Sequence, residues 1–239
     1  ASDGRITGIA PECGLIVLKV LDRMGNGKKG DILKAVRWIL ENRRRYKIRI
    51  VNISVGTTCR SGNDHQILIE GVEQLWDEGL VVVAAAGNQG PGYGSITAPG
   101  SSRKIITVGS SDLLTGKTAI SGRGPTFECV CKPDLVAPGS RVLACAPGSD
   151  YAYGIKSGTS MSTPLISGAA ALMLEKNPAP VPPVFSDGIP VTRRSGHGLG
   201  VKSIIYYVES QKGQYQFFME DTDFAVRIIL QRIVSADHI

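Results

Sequence analysis

The sequence predicts an α/β fold in which a parallel β-sheet is flanked by helices on both faces. Short continuous apolar runs, as expected of strands buried on both faces, alternate with longer segments whose apolar residues recur at helical spacing. This alternation favours parallel strands joined by helical crossovers. With 239 residues, 42% of them hydrophobic, and 29 glycines, the chain is long enough to build a sizeable core with many tight turns.

The strands and helices can be assigned in order along the first half of the chain. Residues 14–21 form an apolar run typical of a buried strand, and Asp31 is positioned to cap the helix that follows it. A second amphipathic helix is predicted over residues 65–78 and is closed by Gly79. The further strands are predicted at residues 50–54, 80–86 and 105–108.

Polar residues lie at the carboxyl ends of two of these strands. Ser54 is the last residue of the strand at 50–54, and Asn88 comes shortly after the strand at 80–86. Ligands of parallel sheets lie beyond the carboxyl ends of the strands. A functional site is therefore expected at this edge of the sheet.

Ser160 is the candidate nucleophile. It follows Gly158 and Thr159 and precedes a run of small residues at 167–171, which is typical of a tightly packed helix. A serine at the start of a helix lies near the positive end of the helix dipole, where developing negative charge is favoured. That setting suits a hydroxyl that attacks a carbonyl, although an isolated serine here would more simply be a helix N-cap.

The motif Gly158-Thr159-Ser160-Met161-Ser162-x-Pro164 resembles the nucleophile signature of the subtilisin-like serine proteases, the subtilases. Segments 51–56, 82–88 and 134–139 resemble other stretches of that family in the same order. The resemblance implies a partial subtilisin-like peptidase domain over residues 1–178, acting on peptide or protein substrates. It further implies that Ser160 is the nucleophile and Asn88 the oxyanion donor, with the substrate held by Ser54, Val55, Gly56, Ala85 and Gly87.

The aspartate and histidine of the family's triad lie in segments ahead of the part that residues 1–10 resemble. Of the three histidines, His65 matches no family position, His197 lies in a glycine-rich stretch near 196–204, and His238 is next to the last residue of the sequence. We therefore expect a fold truncated at its N-terminus, a serine endopeptidase by family that is essentially inactive as this chain alone. The missing N-terminal segment would then be needed as a partner. The alternative is a non-catalytic scaffold that binds extended peptides.

Residues 179–239 differ in composition from the rest and begin with a proline-rich stretch. They resemble the C-terminal end of a histidine-kinase-type (GHKL) ATP-binding domain, with a glycine-rich box near 196–204 and strands near 215–219 and 224–230. A small α+β appendage is expected here. A weaker alternative function is nucleotide or anion binding, through Gly196, Gly198 and Gly200.

Charge and cysteine content restrict the other classes of function. The net charge of +6 is concentrated in the basic run 43–49, which could bind an anionic surface but is better explained as the solvated end of a helix. We expect no nucleic-acid partner, and no apolar run reaches the length of a membrane span. The odd number of cysteines, five, favours a cytoplasmic location. No metal site or cofactor is predicted, although the resemblance makes calcium possible.

Overall fold

The computed structural model describes residues 6–57, 63–114, 116, 119–149 and 151–176, together with the backbone of four strands between residues 184 and 229. The chain divides into two compact units, Ala1–Pro178 and Ala179–Ile239. The assignment of these units to two different families remains a prediction.

The first unit is built on a four-stranded parallel sheet with the strand order β1-β2-β3-β4. In register, Val51 lies opposite Val82, Val83 opposite Ile106 and Val108 opposite Leu135. Three of the predicted strands are therefore present, and β4 was not anticipated as a strand. The bounds are β1 Ile50–Ile53, β2 Val81–Ala85, β3 Ile106–Ser110 and β4 Leu135–Ala137.

Helices cover both faces of the sheet, as predicted. Helices α1 (Lys29–Asn42) and α2 (Asn63–Asp77) pack against one face, where Val82 and Ala84 of β2 join the core around Leu75. Helix α3 (Thr159–Lys176) packs across the other face and contacts all four strands. Val83 of β2 is buried on that side. The alternation of β2 side chains between two cores explains why this strand is apolar throughout.

The structure confirms the predicted end of α2 but not the predicted start of α1. Gly79 closes α2 with φ +81°, its N–H donating to Trp76 and that of Leu80 to Leu75. These are the two hydrogen bonds of a Schellman motif. The prediction that Asp31 caps α1 is wrong. The helix starts earlier, the cap position is Lys28, and Asp31 lies in the first turn beside Lys34.

The prediction of a buried strand at residues 14–21 is also wrong. This segment joins no ladder, and Leu15 and Val17 are 82% and 86% exposed. Its alternate residues Leu18 and Val20 face a cavity that separates the segment from β1. The run has the composition of a strand, but among the described residues its only β-bridge is the isolated one between Leu21 and Gly27.

The remaining described elements are antiparallel pairs. In the first unit β5 (Val142–Cys145) pairs with β6 (Tyr153–Lys156). In the second unit β7 (Val184–Ser186) pairs with β8 (Ile189–Val191), and β9 (Gln214–Glu220) pairs with β10 (Asp223–Ile229). Strands β9 and β10 coincide with the two strands predicted in this unit. The resemblance to an ATP-binding domain is not tested by them and stays a prediction.

The basic run behaves as the solvated end of α1. Arg43 donates to the carbonyl of Leu40 and pairs with Glu78, while Arg45 lies over the ring of Tyr46. Cations that complement the carbonyl end of a helix account for this placement. Within the described residues, no helix is both long enough and apolar enough to cross a membrane.

Candidate functional site

Helix α3 places Ser160 at the carboxyl edge of the sheet. The helix begins at Thr159, so Ser160 lies in its first turn, near the positive end of the helix dipole, which favours negative charge. Further along the helix, Gly168 lies under the N-terminal segment, and a Cβ there would come within 2.7 Å of Ile9 Cβ. Small side chains in this run therefore permit a close backbone crossing.

Ser160 and Ser54 are joined by two reciprocal hydrogen bonds. Ser160 Oγ donates to the carbonyl of Ser54 at 3.0 Å, and Ser54 Oγ donates to the carbonyl of Ser160 at 3.1 Å. The second bond has a simple cause. The Ser160 carbonyl would normally accept from the residue four positions later, but that residue is Pro164, which has no N–H. The Ser54 hydroxyl takes its place and ties the nucleophile turn to the end of β1.

The side chain of Asn88 has a fixed orientation. Its Oδ1 accepts from the backbone N–H of Thr159 at 2.9 Å and from Thr159 Oγ1 at 3.2 Å. Because a backbone N–H can only donate, the carbonyl end of the amide must point toward Thr159. Nδ2 makes no hydrogen bond within the described part of the chain. It is therefore available as a donor to an oxygen that carries negative charge.

All the catalytic and substrate-binding residues predicted from the sequence line one cleft of about 170 Å³. Gly87 has φ +93°, and a Cβ there would lie 2.3 Å from Thr97 Oγ1. A Cβ at Gly56 would lie 2.7 Å from the Ala98 carbonyl oxygen. Both glycines are therefore needed for the backbone to line the cleft. The complete set is Ser54, Val55, Gly56, Ala85, Gly87, Asn88 and Ser160, joined by Gln89, Thr97 and Thr159.

A larger cavity of about 510 Å³ adjoins the cleft and shares Ser54, Val55 and Gly56 with it. Much of its remaining wall is apolar and comes from α1 and α2, with Ile32 and Leu68 among the lining residues, and the loop that contains Gly25 and Asn26 adds to it. The two cavities thus have the segment 54–56 as a shared border. An extended chain along this segment would have apolar space beside it.

Two residues that hold the site in place, Thr159 and Asp112, were not predicted from the sequence. Thr159 is fully buried and its Oγ1 accepts from the N–H of Gly87 at 3.1 Å, so one side chain holds both Gly87 and Asn88. Its place beside the nucleophile was the only signal in the sequence.

The second support is Asp112, whose carboxylate accepts from Ser110 Oγ and from the N–H groups of Gly139 and Ser140. Burial, the largest influence, raises the pKa of Asp112, but these hydrogen bonds outweigh it and hold that pKa below its ordinary value of 3.8. The carbonyl of Gly139 in turn accepts from the N–H of Gly158, two residues before the nucleophile. Asp112 therefore fixes the loop on which the nucleophile turn rests.

The structure places no described histidine beside the nucleophile. His65 Nε2 lies 3.2 Å from Ser101 Oγ, so this ring is engaged elsewhere. His197 and His238 fall outside the described residues. The hydroxyl of Ser160 is accordingly bound to a backbone carbonyl, which cannot take its proton.

The predicted anion-binding glycines, the cysteines and the possible calcium site add nothing to the cleft within the described residues. Gly196, Gly198 and Gly200 fall outside the described residues. Within the described part, Cys13, Cys129, Cys131 and Cys145 are free and exposed, and no group of three or more His, Cys, Asp or Glu side chains is arranged to hold a metal ion. The calcium suggested by resemblance stays a prediction.

Comparison with known proteins gives a consistent set of similarities. A model of the Subtilase family matches residues 1–188, which extends beyond the boundary predicted at residue 178. Serine protease AprX of Bacillus subtilis (strain 168) is 36% identical over 202 residues, covering 74% of this chain and 46% of that protein. Subtilisin Savinase of Lederbergia lenta is 34% identical over 174 residues, covering 73% of this chain and 58% of that protein.

Solved structures show the same relationship. The S41 psychrophilic protease aligns with a TM-score of 0.60 at 31% identity, covering 72% of this chain and 57% of that one. Sphericase aligns with a TM-score of 0.61 at 29% identity, covering 74% and 59%. The chain spans about half the length of the curated relatives it matches.

Proposed function

The chain belongs to the subtilase family, and from this premise we propose that it carries the nucleophile and oxyanion half of a serine endopeptidase site. Ser160 Oγ attacks the carbonyl carbon of a peptide bond, and its proton passes to a base. The tetrahedral intermediate then expels the amine and leaves an acyl group on Ser160, which water later removes. The observation that carries the proposal is the single cleft that contains Ser160, the free Nδ2 of Asn88 and the segment 54–56.

Each group has a role that its geometry supports. Asn88 Nδ2 donates to the oxyanion, a role in which loss of one donor lowers kcat about 10²–10³-fold, a magnitude measured in this family. The backbone of 54–56 pairs with the substrate as an added strand, with Ala85 and Gly87 lining the opposite wall. The adjoining apolar cavity would accept an apolar substrate side chain. Because no described histidine reaches Ser160, we propose that the chain by itself is essentially inactive.

Chemical rescue tests this proposal. The full chain is incubated with a fluorophosphonate probe in increasing concentrations of imidazole, which can supply the missing base. We expect slow labelling of Ser160 that accelerates with imidazole, with none in Ser160→Ala, and peptide mapping locates the label. Rapid labelling without imidazole would show that a base is already present. Labelling that is independent of imidazole and equal in the urea-unfolded chain would refute the nucleophile role.

The second candidate is a non-catalytic scaffold that binds extended peptides. The observation that favours it is the pairing segment 54–56 with an apolar cavity beside it and no described base. Peptide binding that survives Ser160→Ala, without cleavage of casein and without rescue by imidazole, would select this function. A nucleotide- or anion-binding role for residues 179–239 remains a weaker candidate. ATP titration in the presence of magnesium tests it.

A further inference from the structure

Three cations in the turn after helix α1 have no acidic partner. Arg44, Arg45 and Lys47 are exposed, and none of them forms an ion pair within the described part of the chain. The arginine that precedes them, Arg43, already donates to a carbonyl at the end of the helix. We call the other three the cationic turn. Like charges on neighbouring residues repel one another, and an anionic partner would relieve that repulsion.

The backbone of the cationic turn is held in a defined shape. Lys47 has φ +53°, and its N–H donates to the carbonyl of Arg44 at 3.4 Å. The N–H of Ile48 donates to the carbonyl of Arg43 at 2.9 Å. These are the two hydrogen bonds of a Schellman motif, and both use backbone atoms alone. Replacing the arginine side chains therefore removes charge and leaves the frame that displays it.

The cationic turn lies at the end of the sheet opposite the cleft. Because the strands are parallel, their amino ends share one edge, and residues 43–49 lead into the amino end of β1. Arg103 and Lys104 precede β3 and so add positive charge to the same edge. The carboxylates of Asp77 and Glu78, which precede β2, are each paired with a cation already. This edge is therefore positive, and a surface bound to it leaves the cleft open.

A tyrosine stands among the cations. Tyr46 is 47% exposed, its ring stacks on that of Trp38 with centroids 5.6 Å apart, and the guanidinium of Arg45 lies 5.2 Å from its centroid. These contacts make the ring a poor platform for a nucleic-acid base, which needs a free aromatic face. Tyrosines, with an apolar ring and a polar tip, are enriched where membranes meet water. Cations around a half-exposed tyrosine therefore favour a lipid surface over a nucleic acid.

From this arrangement we propose that the cationic turn docks the chain on an anionic phospholipid surface, with the cleft facing away from the lipid. The guanidinium and ammonium groups donate to the phosphates of the headgroups, and Tyr46 lies at headgroup level. Each lysine or arginine near an anionic bilayer raises the affinity about fivefold, so three of them give weak and reversible docking. Strong dependence on salt follows, because exposed charges are screened beyond a Debye length of about 10 Å at 0.1 M. The proposal holds whether or not Ser160 is catalytic.

The test is sedimentation of the full chain with vesicles of phosphatidylglycerol and phosphatidylcholine, compared with vesicles of phosphatidylcholine alone. The double variant Arg44→Ala/Arg45→Ala removes two charges of the cationic turn. Arg23→Ala/Lys28→Ala is the matched control, since it gives the same net charge but removes two exposed cations ahead of α1, in the loop whose Gly25 and Asn26 border the cavity beside the cleft. Lys47→Gly removes the third charge at a positive φ that glycine adopts without cost, so this variant keeps the fold.

We expect the wild type and the control variant to sediment with the anionic vesicles and not with phosphatidylcholine, and to be released at about 1 M salt. The affinity should fall at least about tenfold in Arg44→Ala/Arg45→Ala and about fivefold in Lys47→Gly. Equal binding to both kinds of vesicle, no binding to either, equal weakening by the control variant, or binding that salt does not weaken would overturn the proposal. So would a DNA duplex that binds more tightly than the anionic vesicles at equal phosphate concentration and loses affinity in the same variants. If the double variant fails to fold by circular dichroism, Lys47→Gly decides.

Discussion

Replacing Ser54 with alanine should weaken the fold through the nucleophile turn, and the loss should depend on Pro164. The Ser54 hydroxyl satisfies the Ser160 carbonyl at 3.1 Å because Pro164 has no N–H to offer it. A hydrogen bond of this kind contributes about 0.5–1.5 kcal/mol, and a partly buried carbonyl left without a partner costs about 1–3 kcal/mol. We expect Ser54→Ala to lower the free energy of unfolding by about 1–2 kcal/mol.

The substitution Pro164→Ala supplies the missing N–H. Pro164 is exposed, so alanine fits there without crowding, and its N–H can donate to the Ser160 carbonyl as in a regular helix turn. In this background the cost of Ser54→Ala should fall below about 0.5 kcal/mol. The coupling free energy between the two sites is then about 1 kcal/mol, within the range measured for residues in one network.

Urea unfolding followed by tryptophan fluorescence measures these differences, because both tryptophans, Trp38 and Trp76, pack against the main core of the first unit. Ser167→Ala is the matched control. It also removes a hydrogen bond between α3 and β1, from Ser167 Oγ to Asn52 Oδ1 at 2.8 Å, but does not involve the Ser160 carbonyl. Its cost should be the same with or without Pro164→Ala. If Ser54→Ala costs the same in both backgrounds, the Ser54 hydroxyl does not replace the helical hydrogen bond that Pro164 cannot make.

Four substitutions and one digestion test other parts of the chain. Asp134→Ala should cost about 3–5 kcal/mol in urea unfolding, because it leaves the ammonium of Lys132, only 1% exposed, without its carboxylate. Lys132→Met should cost less, since Asp134 is 40% exposed and regains water, and the reverse order would contradict this account. Gly87→Ala should lower the melting temperature, because alanine at this positive φ costs about 1–2 kcal/mol and its Cβ would also overlap with Thr97. An unchanged melting temperature would exclude that strain. Asp112→Asn should lower the free energy of unfolding at pH 7. Because the pKa of Asp112 is depressed in the folded chain, the difference in this free energy between wild type and variant should shrink as the pH falls from 3.8 through the folded pKa. A difference that does not change with pH would exclude an effect of the carboxylate charge. Limited trypsin digestion should cut within 178–194 and leave a folded core, whereas resistance with one cooperative unfolding transition would show that the two units share a core.

The fold and the cleft were largely predictable because their signals are local. Strand β2 is apolar throughout since both of its faces are buried, and Gly79 ends α2 because only glycine adopts its backbone angles without cost. Residues 14–21 carry the same apolar signal, yet pairing depends on a neighbouring backbone that composition does not reveal. The role of Thr159 depends in the same way on the distant Gly87 and Asn88, which only the fold brings to it.

Helix α3 touches all four strands of the sheet, so the position of its first turn depends on how those strands are aligned. A slip of one residue in β1 would displace Ser54 by about 3.3 Å, more than the 3.0 Å that separates Ser160 Oγ from the Ser54 carbonyl. The same slip would turn the core residues of that strand to the wrong face. A reagent that reports the environment of the Ser160 hydroxyl therefore also reports whether the strands have been assembled in the correct alignment.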